Sequence, residues 1–545
     1  MMAEKVRAMR AWNALCLISV AACNKGNGEV TDAGSTAADA EVAVLPTPAP
    51  GTPNRIAPLI ARLDICEKPE GCKLGKPGNL GYLRLGQSLA RTEKPVGSDS
   101  RCPQGYYGIS PNGFVCANPE QSTTDLEHPI IKALAVKPDL SKPMPYLYGF
   151  VRRDAALWHL IPNKREMDKW EYAYDGHLKE YAKNHRKWNK PDRGDPNAVP
   201  LDEKGNAKSL PSEMPVPPEV NEDQLFPAYG GKSETPWWLS DEVWKRAAQR
   251  RKIPNVSTYK GGDAAFYGKA YRHAGLAVIG SFPTGPKSAS RKFVVTLDGR
   301  LIGEDKIKPH YASSFHGVTI DDKTEFPFAI VRRRDAVRYD AGGEKQKGAL
   351  PYRDVVPLNG KKSPQNSKMF WQTKAGYWVK EDDVGVVTNA PEPPKKFDWK
   401  KVKWIDIGIS YQTLTAYEGE KPIYATLISS GRDGDGDPYT THSTVRGEFP
   451  IKWKHITATM DNDDPENRFE LRDVPWVQYF EANFALHGAY WHDDFGRMRS
   501  HGCVNMAPID ARRLFFWTDP PLPDGWHAVA SGGSMGEGTW VRVRR

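Results

Sequence analysis

The chain has 545 residues and a formal net charge of +9 at pH 7, and its 17 Trp and 22 Tyr provide ample side chains for apolar cores. A chain of this length is expected to form several domains. The positive charge is modest and spread along the chain, without the clustered Lys and Arg that mark a nucleic-acid surface. We therefore expect no nucleic-acid partner.

A short basic and apolar segment opens the chain. Lys5, Arg7 and Arg10 precede 12 almost wholly apolar residues at 11–22. As a helix at about 1.5 Å per residue, this run is about 18 Å long, too short for a bilayer core of about 30 Å. The order of basic and apolar residues predicts a signal peptide at 1–22. No other stretch is long and apolar enough to span a membrane.

The apolar run ends at a cysteine, Cys23. The letters VAAC at 20–23 resemble the lipobox of bacterial lipoproteins, which implies cleavage before Cys23 and a lipid anchor in the membrane on its thiol. A signal peptide followed by a chance Cys is the alternative. Residues 23–55 are dominated by Ala, Gly, Thr and Pro, so beyond the lipidated Cys they predict a disordered tether. Asn24 is not the Asp associated with inner-membrane retention, which favours the periplasmic side of a Gram-negative outer membrane.

The cysteines indicate an oxidising compartment. Of the seven, Cys16 lies in the predicted signal peptide. Four cluster between 66 and 116 and predict two disulfides, although the sequence allows three connectivities. We favour the local pairs Cys66–Cys72 and Cys102–Cys116. Cys503 is left unpaired, as a free reactive thiol or an intermolecular bridge.

Residues 56–118 are predicted to form a small disulfide-bonded β domain, because short apolar runs alternate with Gly and Pro. This pattern of short apolar runs resembles that of a bacterial Src-homology-3-like barrel. Residues 119–190 are predicted to be a helical segment. Six side chains from Trp170 to Trp188 recur at spacings of three, four and seven, which predicts a helix over 163–188 with this stripe facing a core.

Residues 191–225 are rich in Pro and charge and predict a linker or a long surface loop. Residues 226–395 are predicted to be an accessory α+β region. The sequence FVVTLDGRLIG around Asp298 and Gly299 indicates a β-hairpin. A faint similarity between residues 376–379 and 113–116 adds the hypothesis of a second Src-homology-3-like barrel.

Residues 396–545 are predicted to form the last domain. Ile405, Ile407 and Ile409 alternate with other residues, which is typical of a half-buried strand. Residues 426–431, 484–490 and 539–545 predict further strands. One helix is expected to begin at Pro508. The predicted fold class is therefore mainly β.

The residues at 487–506 carry the chemistry. A thiol is a poor nucleophile at neutral pH, since the reference pKa of cysteine is about 8.5 and the thiolate is the reactive form. His487 and His501 are close to Cys503 in sequence, and the predicted helix begins a few residues later. An imidazole and a helix N-terminus both favour the thiolate. The backbone N–H groups of Gly502 and Cys503 are candidates for an oxyanion hole.

The hexapeptide SHGCVN at 500–505 matches the signature [S/T]-H-G-C-apolar-N of the L,D-transpeptidases (YkuD-type catalytic domain), which this chain resembles here. His487-Gly488 matches the upstream His-Gly of the family, 16 residues before Cys503. Residues 406–417 resemble its opening strands. Thr444-x-x-Gly447-x-Phe449-x-Ile451 resembles its T-P-x-G-x-F-x-I segment, with Val445 where Pro is usual. The resemblance covers residues 402–530 and implies a YkuD-like β-sandwich.

The resemblance also implies roles and a substrate. Cys503 would attack a carbonyl of a peptidoglycan stem peptide, with His487 as base, the Gly488 carbonyl orienting it, and His501 supporting the thiolate. A tetrapeptide stem would lose its terminal D-alanine, and the acyl group would pass to an amine in a 3→3 cross-link. No cofactor and no metal is implied. Four further side chains are expected to contact the substrate: Ser500, Asn505, Trp491 and His492.

Other interpretations remain open. The same site with water as acceptor would be a carboxypeptidase or a cross-link hydrolase, and the domain could instead bind the wall without catalysis. His487, His492, His501 and Cys503 are also zinc ligand types, but their spacing matches no common zinc pattern. The acidic run at 431–437 fails the EF-hand pattern and predicts a tight turn.

Overall fold

Strands dominate the described part of the chain, which confirms the mainly-β prediction. The computed structural model describes residues 47–69, 78–171, 173–221, 223–229, 265–365, 367–389, 393–462 and 469–545. The predicted signal peptide, Cys23, most of the tether and Cys72 lie outside these residues. None of the described helices is long and apolar enough to cross a membrane.

The first described region is built from short strands, as its Gly- and Pro-split runs predicted. They are β1 (Arg55–Pro58), β2 (Arg62–Cys66), β3 (Asn79–Arg84), β4 (Leu89–Ala90), β5 (Tyr106–Gly108), β6 (Phe114–Cys116) and β7 (Ser122–Thr123). Cys102 and Cys116 form the predicted disulfide. Cys66 is also disulfide-bonded. Since Cys72 lies outside the described residues, the pair Cys66–Cys72 stays a prediction.

The segment after β7 mixes helices and strands. Its elements up to residue 320 are α1 (Pro129–Leu134), β8 (Leu147–Val151), β9 (Ala155–Trp158), α2 (Lys164–Trp170), α3 (Tyr174–Asn189), β10 (Phe266–Ala270), β11 (Gly275–Pro283), β12 (Lys292–Thr296), β13 (Leu301–Gly303), β14 (Ile307–Pro309) and β15 (Val318–Thr319). The described part of 119–190 thus contains three strands, β7, β8 and β9, besides the predicted helices. Strands β12 and β13 pair as the predicted hairpin, with Gly299 at φ +75°.

The predicted helix over 163–188 is broken into α2 and α3. The side chains of Asn163 and Glu166 cap the start of α2 reciprocally. At the break, Glu171 turns into the core and forms an ion pair of 2.9 Å with the buried Arg291. Ala173, at φ +53°, then leads into α3. The buried carboxylate thus accompanies a break that the regular apolar spacing does not reveal.

Residues 328–387 form a separate seven-stranded sheet in the order β18-β17-β21-β20-β19-β16-β22. Its strands are β16 (Phe328–Val331), β17 (Val337–Tyr339), β18 (Lys345–Ala349), β19 (Val355–Gln365), β20 (Lys368–Thr373), β21 (Trp378–Lys380) and β22 (Val384–Val387). The sheet lies where a second barrel was hypothesised, and its Src-homology-3-like character stays a hypothesis. Short 3₁₀ turns occur at Pro196–Ala198, Pro286–Ser288, Glu304–Lys306, Glu381–Asp383 and Gly533–Met535.

The last region contains two sheets and a helix. Its elements are β23 (Lys403–Gly408), β24 (Thr413–Glu418), β25 (Lys421–Leu427), β26 (Gly447–Pro450), β27 (Trp453–Asn462), β28 (Phe469–Glu481), β29 (Phe484–Gly488), β30 (Val504–Met506), α4 (Pro508–Trp517), β31 (Ala528–Ala530) and β32 (Trp540–Arg544). Strands β15 and β23–β26 join β32 in a six-stranded sheet. Helix α4 begins at Pro508, as predicted, and packs on β28 and β29.

Strand β23 is buried on both faces, so the prediction of a half-buried strand was wrong. It lies inside the six-stranded sheet, between β24 and β32. Ile405 and Ile407 face an apolar cluster. On the other face the Asp406 carboxylate accepts hydrogen bonds from the guanidinium groups of Arg542 and Arg544, at 2.6 and 2.9 Å. A charged residue that alternates with isoleucines thus need not be exposed.

One long sheet connects the early strands to the last region. It runs in the order β10-β9-β13-β12-β11-β28-β27-β31-β3-β2-β6-β5. Strand β11 joins β28 in parallel through Gly275 and Leu471. The Pro-rich residues 191–225, predicted to be a linker, pack against α4, where the Arg513 guanidinium donates to the Asn206 side chain. This segment is a packed surface loop.

Buried polar contacts also hold β28 to the early strands. Arg84 of β3 forms an ion pair with Asp473 of β28, whose side chains are 17% and 10% exposed. The Arg84 guanidinium also donates to the Thr457 hydroxyl at 2.9 Å. The Tyr148 hydroxyl donates to the Asp473 carbonyl at 2.6 Å. These contacts involve residues more than 300 positions apart and fix the middle of β28.

Candidate active site

Six of the predicted site residues border one cavity of about 780 Å³. Strands β28 and β29, the loop before β30 and the turn before β11 supply its walls. The lining side chains are Phe150, His273, Thr459, Met460, Asp461, Phe469, Leu471, Tyr479, Asn483, His487, Trp491, Arg499, Ser500, His501, Cys503 and Asn505. The fold thus brings eight residues between 483 and 505, six of them predicted site residues, into one cavity with Phe150, His273 and six residues between 459 and 479.

The loop that carries Cys503 is held by short local hydrogen bonds. The Ser500 hydroxyl donates to the Cys503 carbonyl at 2.5 Å and accepts from the Gly502 N–H at 3.0 Å. Gly502 has φ +127°, and a Cβ there would lie 2.9 Å from the Phe484 ring. The Thr444 hydroxyl donates to the Gly502 carbonyl at 2.7 Å. Ser500 therefore shapes the nucleophile loop from within, and Gly502 is required by its backbone.

The Cys503 thiol is neutral in this arrangement. It is half-buried and free, and its sulfur lies 3.5 Å from the Asn483 carbonyl, to which the thiol donates. Burial raises the pKa of Cys503 to about 11, and the Ala485 N–H opposes that rise. The expected contributions of His487, His501 and the helix start to a lowered thiol pKa are therefore absent in this state. In the first turn of α4, the Asp510 carboxylate binds the Gly317 N–H at 2.9 Å.

His487 is placed as a neutral imidazole. It is 1% exposed on β29, which runs parallel to β30 with His487 opposite Asn505. Burial lowers the pKa of His487 to about 4, and the Gly488 backbone carbonyl partly offsets this, while its orienting role stays a prediction. Nδ1 has no hydrogen bond of ordinary geometry to any described residue. A buried, unprotonated imidazole in the same cavity as a thiol is suited to accept a proton.

The expected oxyanion hole is only partly available. The Gly502 N–H already donates to the Ser500 hydroxyl, and is therefore not a free donor for a substrate oxygen. The physical reason is the tight turn from Ser500 to Cys503, which directs this N–H back toward the serine. Using Gly502 as an oxyanion donor would require this bond to break.

His501 lies at the mouth of the cavity. Its side chain is exposed, and the Arg432 guanidinium donates to its Nε2 at 3.3 Å. Its ring packs against those of His442 and Phe469, with centroids 4.8 and 5.0 Å apart. Partial burial, followed by Arg432 and His442, lowers the pKa of His501. His501 thus forms part of the cavity wall, and its support of the thiolate stays a prediction.

The predicted substrate-binding residues divide into two groups. Ser500, Asn505 and Trp491 line the cavity, and the Trp491 and His487 rings lie 5.6 Å apart. His492 does not line it, and is 2% exposed behind Asn505. Its Nδ1 accepts from the Asp494 N–H at 3.2 Å, and its Nε2 lies 3.0 Å from the side-chain amide nitrogen of Asn505. His492 therefore holds Asn505 rather than substrate.

The zinc interpretation finds no support in the geometry. Within the described part of the chain, no three His, Cys, Asp or Glu side chains are grouped as ligands for a metal ion. The two ring nitrogens of His492 are already engaged. The acidic run at 431–437 forms the predicted turn, in which the Asp433 carboxylate lies 3.1 Å from the His442 imidazole.

Sequence reasoning missed several residues of the site. Tyr479 lies near enough to Cys503 for the thiol to act with burial in raising the pKa of its phenol. Thr444 was part of the recognised segment, but its support of Gly502 was not apparent. Phe150 and His273 come from outside the segment that the motifs cover. No pattern in the neighbouring sequence indicates these two residues, because they reach the cavity through the pairing of β11 with β28.

Residues 402–543 match the family model of the L,D-transpeptidase catalytic domain (YkuD). No curated protein matches the chain. Solved structures similar to it include an L,D-transpeptidase from Stackebrandtia nassauensis, at 22% identity and a TM-score of 0.19. That match covers 28% of this chain and 58% of that one.

Two further structures are similar over comparable parts of the chain. The catalytic domain of an Enterococcus faecium L,D-transpeptidase is 21% identical, with a TM-score of 0.20, over 26% of this chain and 98% of that one. L,D-transpeptidase 3 from Mycobacterium tuberculosis is 16% identical, with a TM-score of 0.21, over 34% and 82%. The family model carries the assignment of residues 402–543.

Proposed function

We propose, from the L,D-transpeptidase catalytic domain at 402–543, that this protein cross-links peptidoglycan stem peptides through a thioester on Cys503. The donor is a tetrapeptide stem that loses its terminal D-alanine. The acceptor is the side-chain amine of a second stem, which gives a 3→3 cross-link. The observation that supports this most is that Cys503 and the neutral His487 line one cavity with space for peptides.

The first half of the reaction forms the acyl-enzyme. Substrate binding displaces the thiol from the Asn483 carbonyl, and His487 accepts the thiol proton as sulfur attacks the donor carbonyl carbon. The C–N bond then breaks, and the imidazolium of His487 delivers the proton to the departing D-alanine nitrogen. A thioester on Cys503 remains. Because both groups are neutral at rest, this proton transfer belongs to the chemical step.

The second half transfers the acyl group. The acceptor ammonium first loses one proton to solvent, and the neutral amine then enters the place of D-alanine and attacks the thioester carbonyl carbon, while His487 accepts the amine proton. The C–S bond breaks and the thiolate recovers its proton from His487. Water attacking in the same position would give a tripeptide. The choice between amine and water depends on the walls of the cavity and not on Cys503 or His487.

Mass spectrometry of muropeptides tests the proposal. The soluble fragment 24–545 is incubated with disaccharide-tetrapeptide, and Cys503→Ala is the matched control. A dimer that requires Cys503 and has lost one alanine is the expected product. A tripeptide monomer alone would replace the transpeptidase by a carboxypeptidase. If neither product forms and intact-protein mass spectrometry finds no acyl-enzyme, the wall-binding alternative replaces it.

We also infer that the mature protein is a lipoprotein, anchored through Cys23 on the periplasmic side of the outer membrane. The apolar run at 11–22 and the small residues before Cys23 support this. Metabolic labelling with a radioactive fatty acid is expected to label the wild type and not Cys23→Ser. Labelling that is equal in both proteins would contradict the anchor, without bearing on the transpeptidase reaction.

A further inference from the structure

The wall of the cavity farthest in sequence from Cys503 is built on three adjacent strands. Gly275 of β11 pairs with Leu471 of β28, and Leu471 pairs in turn with Met460 of β27. His273 precedes Gly275 by two residues, and Asp461 follows Met460 directly. Gly275, Leu471 and Met460 thus form a row across the three strands. Because β11 runs parallel and β27 antiparallel to β28, His273 and Asp461 lie on the same side of this row. Two strand spacings, about 10 Å, separate their backbones.

This wall is rigidly placed. A Cβ at Gly275 would lie 2.3 Å from the hydroxyl oxygen of the buried Tyr490, so only glycine lets β11 approach this closely. The Phe150 ring packs edge-on against His310, with centroids 4.4 Å apart. The His273 N–H donates to the Val151 carbonyl at 2.8 Å, and His273 has φ +73°. The turn therefore presents the exposed His273 side chain to the cavity in a backbone conformation that few residues tolerate.

The charge at this wall is negative. Asp461 is exposed at the cavity and forms no ion pair or hydrogen bond through its side chain with any described residue. Its cross-strand neighbour Glu470 is already paired with Arg472, 2.5 Å away. Arg472 is further neutralised by Asp298, at 2.6 Å. Among the described residues, Asp461 thus has no counter-ion, and it lies in the same cavity as the nucleophile.

We propose that Asp461, His273 and Phe150 form the subsite for the acceptor, in which Asp461 binds the ammonium group of the incoming amine. This inference rests on the proposed transpeptidase function and names where its second substrate binds. The reacting end of the acceptor arrives as an ammonium, whereas the reacting end of the donor carries the carboxylate of its terminal D-alanine. A lone carboxylate therefore favours the reacting end of the acceptor over that of the donor. His273 and Phe150 supply an aromatic wall for the stem that bears the amine.

Steady-state kinetics with two nucleophiles test the subsite on the mature chain. The donor is disaccharide-tetrapeptide, and the nucleophile is either a disaccharide-tripeptide with a cationic side-chain amine or hydroxylamine, which is mostly neutral at pH 7.5. Asp461→Asn is expected to raise KM for the cationic acceptor about tenfold, since hydrogen bonds to charged groups are worth about 1.5–3 kcal/mol. The rate with hydroxylamine and the formation of the acyl-enzyme are expected to be unchanged.

A second variant separates the contribution of the His273 side chain from that of the Asp461 charge. His273→Asn keeps a residue that tolerates positive φ but removes the imidazole. It is expected to raise KM for the tripeptide acceptor about threefold to tenfold, with no change for hydroxylamine. Arg272→Ala, in the same turn but outside the cavity, and Asp322→Asn, an exposed carboxylate elsewhere, serve as matched controls.

The outcomes separate the two proposals. An unchanged KM for the tripeptide in Asp461→Asn, with normal acyl-enzyme formation, overturns the subsite and leaves the transpeptidase intact. An equal loss with tripeptide and hydroxylamine also overturns it, because the carboxylate would then act on acylation. If the wild type forms no acyl-enzyme with the donor, the proposed function itself fails.

Discussion

Two buried polar sites in this protein respond to burial in opposite ways. Cys503 and His487 are buried without a paired opposite charge. Burial raises the pKa of Cys503 to about 11 and lowers that of His487 to about 4, which favours the neutral thiol and the neutral imidazole. Around Arg84 and Asp473, burial meets a paired charge, and the Asp473 carboxylate raises the pKa of Arg84 against the effect of burial. The presence of a partner decides which form a buried group adopts.

The difference assigns the two sites different roles. A neutral thiol and a neutral imidazole store no charge separation, so they are ready to exchange a proton when a substrate arrives. A buried ion pair is costly to break, because one partner would remain charged without compensation. We therefore expect the first site to govern rates and the second to govern stability.

Loss of the buried imidazole is expected to have the largest effect. His487→Gln removes the proton acceptor for Cys503 and is expected to lower the acylation rate about 10²–10⁴-fold, the usual contribution of a general base. Single-turnover acylation followed by intact-protein mass spectrometry measures it. His316→Gln is the matched control, because His316 is also buried but lies outside the cavity. A rate equal to the wild type in His487→Gln would show that another group takes the thiol proton.

Loss of the buried guanidinium tests the second site. Arg84→Ala leaves the Asp473 carboxylate buried without its partner and is expected to cost about 3–5 kcal/mol in the free energy of unfolding. Arg101→Ala removes an exposed guanidinium, 54% accessible, from its pair with Asp99 and is expected to cost much less, because solvent screens an exposed pair. Denaturant unfolding of both variants measures the contrast. Equal losses would mean that the buried pair carries no special weight.

The sequence predicts the first site far better than the second. One segment of 17 consecutive residues contains His487, Ser500 and Cys503, so a single sequence motif indicates their chemistry. Arg84 and Asp473 are 389 positions apart, and nothing near either residue indicates the other. Likewise His273 reaches the cavity only because Gly275 pairs with Leu471. Predictions failed where a long-range contact overrides a local pattern, as at Asp406, where buried arginines compensate a charge in a central strand.

The close approach of β11 to β28 gives a prediction of intermediate size. Gly275→Ala places a methyl group against the Tyr490 ring and hydroxyl and is expected to cost about 1–3 kcal/mol, as overpacking of a core does. Gly268→Ala is the control, because a Cβ there meets no atom within 4 Å. Thermal unfolding compares the two. If Gly275→Ala is as stable as Gly268→Ala, the contact with Tyr490 is looser than the structure indicates.

The pH dependence of the thiol is the most gradual effect expected. Burial raises the pKa of Cys503 to about 11, so the thiolate fraction rises about tenfold for each pH unit below that value. Burial lowers the pKa of His487 to about 4, so its imidazole is already unprotonated throughout pH 6–9 and adds no step there. Alkylation of Cys503 by iodoacetamide is therefore expected to rise steadily over pH 6–9 without a plateau. A midpoint well below pH 8 would instead indicate a thiolate–imidazolium pair, and would remove the contrast with Arg84 and Asp473, since both sites would then hold paired charges.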